Sequence, residues 1–248
     1  MDKSNKQTFT CAGINNVIPI IESKKFHIEE VLILRNSTAE KNKKLNDILK
    51  SYGFDKIKKV NDIKGSQSFK AQGVSITFSG KLIYDEILIS PKKENVSFLV
   101  LDQIEDPQNF GQIIRTVECA GINGIVYSRH HSAPLTQTAL QVSQGAFVNM
   151  KFYEVTNISN VLKMLKKNNF WVVGLENSID ARPWYSIEYS GRTAIVVGSE
   201  GGGIRKKVLE TCDFMATIPM QGITNSLNVG AATSAIVFEG LRQKLEKK

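Results

Sequence analysis

From Phe98 onward, short apolar runs alternate with helix-patterned segments, and this alternation constrains the fold more than any other feature of the chain. The runs FLVLDQI, GIVYSR, FYEV, FWVVGLEN, AIVVGSE and FMATIPM are apolar almost throughout. Around them lie GQIIRTVECAG, LTQTALQVSQGA, ISNVLKMLKKNN, IRKKVLETCD and AATSAIVFEGLRQKLEKK, which read as helices. A strand with no polar face must be covered on both sides. Alternation with helices achieves this in a parallel sheet flanked by helices, an α/β fold. In such sheets ligands bind in the crevice at the carboxyl ends of the strands.

The front of the chain reads differently. Residues 1–8 form a polar tail. Over residues 9–80, AGINNVIPIIES reads as a helix, EEVLILR as a strand, EKNKKLNDILKSYG as a helix, and KIKKV and GVSITFSG as strands. This predicts a small, separate α/β domain. Residues 81–96, with Pro91 and a PKKEN turn, predict a linker, leaving 97–248 as the second domain.

Charge divides along the same line. Residues 1–95 carry 17 basic against 11 acidic side chains (+6), and residues 96–248 carry 15 against 13 (+2). A basic front end fits a polyanionic partner, nucleic acid ahead of membrane, although a lysine-rich solvated surface has the same composition. The three cysteines, Cys11, Cys119 and Cys212, are widely spaced, with no CxxC pair, as expected for reduced thiols. No apolar run reaches the about 18 residues of a membrane span, and no signal-peptide pattern opens the chain. The expectation is a soluble, cytoplasmic protein.

Three polar, glycine-containing loops follow predicted strands and therefore converge at one sheet edge: DQIEDPQNFGQ, GSEGGGI and QGITNSLNVG. In the first, Asn109 reads as a helix N-cap and Arg115 as a second-turn cation reaching back over the first turn. Together they form a helix mouth suited to phosphate or ribose. In the second, glycines around Glu200 allow backbone to approach a ligand closely. In the third, Asn225, Ser226 and Asn228 alternate with apolar Met220 and Leu227, a lining suited to a purine and its sugar. Taken singly, each also reads as an ordinary turn or cap.

Other chemistries lack their signatures. There is no first-strand GxGxxG followed by an acidic residue, which disfavours a dinucleotide oxidoreductase, and no GxxxxGK[ST]. A GxSxG elbow is absent too. The loops offer no metal-ligand cluster. His130 and His131 are adjacent, so they cannot both face one way in an extended segment, and they read as surface residues.

Together, DPQNFGQIIRTVECAG, VVGSEGGGI and IPMQGITNSLNVGAA resemble, in order and spacing, the three signature motifs of the SpoU family of RNA ribose 2′-O-methyltransferases. The resemblance spans about residues 98–245. More loosely, residues 9–80 resemble the ribosomal-protein-like RNA-binding domain of members that methylate a guanosine of large-subunit ribosomal RNA. The resemblance implies a Rossmann-like parallel sheet with a C-terminal deep trefoil knot, S-adenosylmethionine as cofactor, no metal, and a homodimer formed by the methyltransferase domain. It implies catalytic roles for Asn109, Arg115, Glu200, Ser226 and Asn228, and cofactor contacts from Gly198, Gly201, Ile218, Met220, Ser226 and Leu227. Gln112 and Gly202 depart from the residues common at their positions. Two alternatives stay open: a transfer RNA guanosine as target, and a non-catalytic RNA-binding or assembly protein on the same fold.

Overall fold

The computed structural model describes residues 7–52, 56–62, 72–87, 89–90, 92–130, 132–178, 180–199 and 201–247. The chain forms two compact units. One comprises residues 1–82 and 140–148, the other residues 83–139 and 149–248.

The first unit holds β1 (Gln7–Ala12), α1 (Ile14–Ser23), β2 (His27–Leu34), α2 (Thr38–Lys41), α3 (Lys43–Ser51), β3 (Ile57–Val60) and β4 (Val74–Gly80). Its sheet runs β1-β4-β2-β3. β4 is antiparallel to β1 and β2, and β3 is parallel to β2. Val17, Ile21, Val31, Leu45, Ile76 and Phe78 are fully buried between the sheet and the helices.

Three details depart from the sequence-based expectation. Gln7 and Thr8, expected in the polar tail, belong to β1, and the rest of that expected tail, residues 1–6, lies outside the described residues. The helix expected from Glu40 to Gly53 is two helices, because Asn42 adopts extended backbone and its Oδ1 caps α3 by accepting from Leu45 N at 2.8 Å. Residues 140–148, expected in the second domain, belong to the first unit. There the Phe147 ring stacks on Phe78 at 5.9 Å and 16°. The Gln141 carboxamide accepts from Ala12 N at 2.7 Å and donates to Ala12 O at 3.0 Å, continuing the pairing where β1 ends. Lys25 Nζ donates to Val148 O at 2.7 Å.

The second unit is a seven-stranded sheet, all parallel, in the order β7-β6-β5-β10-β8-β11-β9. The strands are β5 (Val96–Asp102), β6 (Gly124–Ser128), β7 (Phe152–Val155), β8 (Trp171–Leu175), β9 (Arg182–Pro183), β10 (Arg192–Gly198) and β11 (Phe214–Thr217). Every residue of β5 and β6 is buried, which is why these runs carry no polar face. The helices are α4 (Pro107–Cys119), α5 (Gln137–Val142), α6 (Ile158–Lys167), α7 (Lys206–Leu209) and α8 (Val229–Glu246). α5 lies across the boundary between the two units. The expected helix over IRKKVLETCD keeps only the four residues of α7. Part of the expected linker is structured, since Ile83 bridges Phe152 and Tyr84 N donates to Phe152 O at 2.8 Å.

Burial pushes the thiols of Cys11 and Cys212 up to about 12, so both are inert near neutral pH. Among the described residues, no helix is long and apolar enough to cross a membrane.

Candidate active site

Because every strand of the large sheet runs the same way, β5, β8, β10 and β11 all end at one edge. β10 is paired with β5 so that Gly198 stands beside Asp102. The chain then turns back on itself: Ser199 N donates to Gly203 O at 3.1 Å and Gly203 N to Ser199 O at 3.0 Å. A Cβ on Gly198 would overlap the Gly203 carbonyl, so only glycine allows this return. Gly203 has φ +62°, and a Cβ there would stand 2.6 Å from Glu176 Oε2.

Two carboxylates pin the glycine loop. Glu176, directly after β8, accepts from Ile204 N at 3.1 Å. Asp102, fully buried at the end of β5, accepts from Arg205 N at 2.9 Å and from Arg205 Nε at 2.8 Å, and pairs with Arg205 Nη2 at 2.6 Å. An ion pair with one fully buried member rigidifies the loop, and losing either partner would strand a charge.

The third loop is held from two sides. Asn177 Nδ2 donates to Asn225 O at 3.2 Å, and its Oδ1 accepts from Thr217 Oγ1 at 3.3 Å. Asn228 caps α8 by accepting from Gly230 N at 2.9 Å, while its Nδ2 donates to Asn109 Oδ1 at 3.0 Å. One asparagine thus joins the first and third loops.

These loops enclose two adjoining cavities. The first, about 330 Å³, has on its walls Gly198, Gly201, Ile218, Met220, Ser226 and Leu227, all six of the positions expected to touch a cofactor. The second, about 360 Å³, is lined by Gln103, Ile104, Glu105, Asp106, Asn109 and Val229. Ser199, Gly201, Gly202 and Val229 belong to both walls.

Asn109, Ser226 and Asn228 are therefore brought together, with two corrections. Asn109 is not the helix N-cap. Asp106 caps α4 by accepting from Gln108 N at 2.8 Å, and Asn109 sits one turn inside, buried. Arg115 does not reach back beside Asn109. Six residues on, it lies about 240° further around the helix; its side chain is exposed and lines neither cavity. Glu200 and His131 lie outside the described residues, and His130 is exposed. Glu176, Asn177, Asp102 and Arg205 were missed from sequence. The carboxyl-edge rule, applied to the strand GLEN as it was to the other three, points to Glu176.

The first cavity fits a nucleoside cofactor. Leu175, Val197, Ile218 and Leu227 supply an apolar surface, the glycine loop gives close backbone approach, and Glu176 supplies a carboxylate. Among the described residues, no group of three or more His, Cys, Asp or Glu side chains could hold a metal ion.

Fold and site together define an α/β protein that binds a nucleoside ligand on glycine-rich loops at the carboxyl edge of a parallel sheet. Residues 97–238 match the SpoU rRNA Methylase family. A Staphylococcus aureus protein described as a TrmH family tRNA/rRNA methyltransferase is 35% identical over 212 residues, spanning 82% of this chain and 85% of its own. Among solved structures, the SpoU methyltransferase AviRb of Streptomyces viridochromogenes in complex with AdoMet superposes with a TM-score of 0.79 at 20% identity, covering 96% of this chain and 91% of its own. The AdoMet-bound rRNA methyltransferase of Sinorhizobium meliloti superposes with a TM-score of 0.75 at 20% identity, covering 95% and 87%. The chain belongs to the SpoU rRNA Methylase family, and with it to the S-adenosylmethionine-dependent RNA methyltransferases of trefoil-knot fold.

The glycine return gives a direct prediction. Gly198→Ala is expected to lower S-adenosylmethionine affinity about 10–100-fold, the equivalent of about 1–3 kcal/mol of overpacking. Calorimetry on the variant checks it, and Gly222→Ala, at a position with open space around it and no left-handed backbone, reports the background cost of a glycine substitution.

Proposed function

We propose that this protein methylates the ribose 2′-oxygen of a guanosine in large-subunit ribosomal RNA. The observation that carries this reading is the pair of cavities with a shared wall. One is mixed apolar and backbone in character; the other is polar, with the Asn109–Asn228 pair at the junction of its loops. A cofactor in the first and a ribose in the second would be neighbours, and such proximity supplies much of a transfer rate.

Gly198, Gly201, Ile218, Met220, Ser226 and Leu227 would hold S-adenosylmethionine, which when bound supplies an electrophilic methyl group. Ser226, exposed in the third loop, orients the ribose. Asn109 contacts the target nucleotide, and Asn228, whose amide is engaged by Asn109, acts as its positioning residue. Glu200 completes the group from the second motif. Arg115 stabilises the oxyanion that develops on the 2′-oxygen. A guanidinium stays protonated in water, so a neighbouring RNA phosphate is the better proton acceptor.

Arg115 lines neither cavity of its own chain, and Phe238 and Leu245 stand exposed on α8. Both facts support a homodimer in which the arginine of one subunit serves the cavities of the other. Support for ribosomal over transfer RNA comes from the first unit. It lies in the basic front of the chain, and an rRNA-named structural neighbour covers 95% of the chain. Work on RNA fits a protein of the cytoplasm.

The catalytic reading is tested by calorimetry in the presence of a chelator, where S-adenosylmethionine binding is expected to persist; strict metal dependence would contradict it. The shared site is tested by mixing. Arg115→Ala and Ser226→Ala proteins, each inactive alone, are expected to recover part of the activity as mixed dimers. A monomer fully active on dilution would refute the shared site.

A further inference from the structure

A third cavity, about 260 Å³, lies on the second unit and is separate from both walls described above. It is bounded by Thr156, Asn157 and Ser159, where β7 passes into α6, and by Arg205, Lys206 and Lys207, where the glycine loop ends. Its lining contains no acidic residue. Arg205 is already neutralised by Asp102. Lys206 and Lys207 are exposed, and among the described residues neither has a carboxylate within ion-pair distance. The lysines therefore bring two uncompensated positive charges to a concave surface.

The opposite wall has matching chemistry. α6 runs for ten residues from its N-cap Asn157, whose side chain accepts from Asn160 N at 3.0 Å. The positive end of the helix dipole thus points into the same cavity. Ser159 Oγ donates to Lys207 O at 3.0 Å, which ties the two walls together and holds the lysine backbone in place. Concavity, unpaired cations and a helix amide end fit one ligand class, a phosphate ester.

Position identifies its source. The loop that lines the second cavity with Ser199, Gly201 and Gly202 lines this one with Arg205, and only Gly203 and Ile204 intervene. We propose that this cavity binds a backbone phosphodiester of the RNA strand whose target ribose occupies the second cavity. The proposal rests on the RNA-methyltransferase reading and adds an anchoring site on the methyltransferase unit itself. Gripping the strand beside the reacting nucleotide would fix its register, while the glycine loop, pinned by Asp102 and Glu176, holds the anchor and the reaction cavity to one geometry.

The test is binding of labelled large-subunit ribosomal RNA by full-length protein across a salt series. Each lost phosphate contact flattens the log–log salt dependence by about 0.7–0.9. Lys206→Gln/Lys207→Gln, which removes that one phosphate contact, is accordingly expected to lower the slope by about 0.7–0.9. S-adenosylmethionine affinity by calorimetry is expected to be unchanged, since neither lysine lines the first cavity. Lys163→Gln/Lys167→Gln removes the same charge from exposed positions outside this cavity and is expected to lower the slope by less than half as much. A Lys206→Gln/Lys207→Gln slope equal to wild type, or an equal loss in the control, would overturn the site while leaving the enzyme's assignment intact. Wild-type protein that neither binds nor methylates RNA would overturn both.

Discussion

Arg115→Ala is expected to reduce methyl transfer by about 10²–10³-fold, the cost of removing one donor aimed at a developing oxyanion, while S-adenosylmethionine affinity stays within a few-fold. The structure makes the two readouts separable. Arg115 is exposed on α4 and has no carboxylate within ion-pair distance among the described residues, so its removal should leave α4 intact. It lines neither cavity of its own chain, and its proposed work is on the developing oxyanion of the RNA, so cofactor binding is expected to change little. Arg115→Lys is expected to fail nearly as badly, since a lysine lacks the planar fork that presents two parallel donors. Steady-state turnover together with calorimetry decides the matter. Loss of cofactor binding in step with activity would make Arg115 a structural residue.

Deletion of residues 1–80 is the second large effect. Read from sequence, the cut falls between domains and leaves a complete methyltransferase core. The structure predicts damage instead, because residues 140–148 belong to the first unit. Leu140 and Phe147 are almost fully buried there, and the deletion removes the Phe26 and Phe78 rings against which Phe147 packs. Stripping the packing around one phenylalanine costs about 3–5 kcal/mol by comparison with Phe→Ala substitutions in cores, a large part of a domain's net stability. The deletion variant is expected to aggregate or to melt well below the full chain. Adding Leu140→Ser and Phe147→Ser to it is expected to restore solubility by removing the exposed apolar surface. A simple deletion variant that melts cooperatively at the wild-type temperature and binds cofactor normally would show that segment 140–148 does not depend on the first unit.

What the sequence made legible follows from periodicity. The runs FLVLDQI and AIVVGSE are apolar on both faces, which only a covered parallel sheet explains, and the carboxyl-edge rule then gathers three distant loops at one place. The six positions expected to meet the cofactor do line a single cavity. What was not legible depends on contacts between distant residues. LTQTALQVSQGA has a helical pattern, but nothing in it shows that its second half answers to Ala12 and Asn16, or that Phe147 just after it answers to Phe78. The N-cap of α4 fell to Asp106 rather than Asn109 because the helix starts at Pro107, a residue favoured in the first turn. Arg115 was placed by its distance along the chain without regard to its angle around the helix, which turns it away from Asn109. Glu176 escaped notice because it carries no motif; its role comes from the amide of Ile204, 28 residues away.

The central claim, ribose 2′-O-methylation of a guanosine in large-subunit ribosomal RNA, is tested most directly by mapping 2′-O-methyl marks on total ribosomal and transfer RNA from cells with and without the gene. One guanosine mark in the large-subunit RNA is expected to disappear without the gene, to return with the wild-type gene, and not to return with Arg115→Ala. Loss of a transfer RNA mark with the ribosomal RNA unchanged would contradict the substrate assignment, and an unchanged map of both RNAs would contradict the claim as a whole.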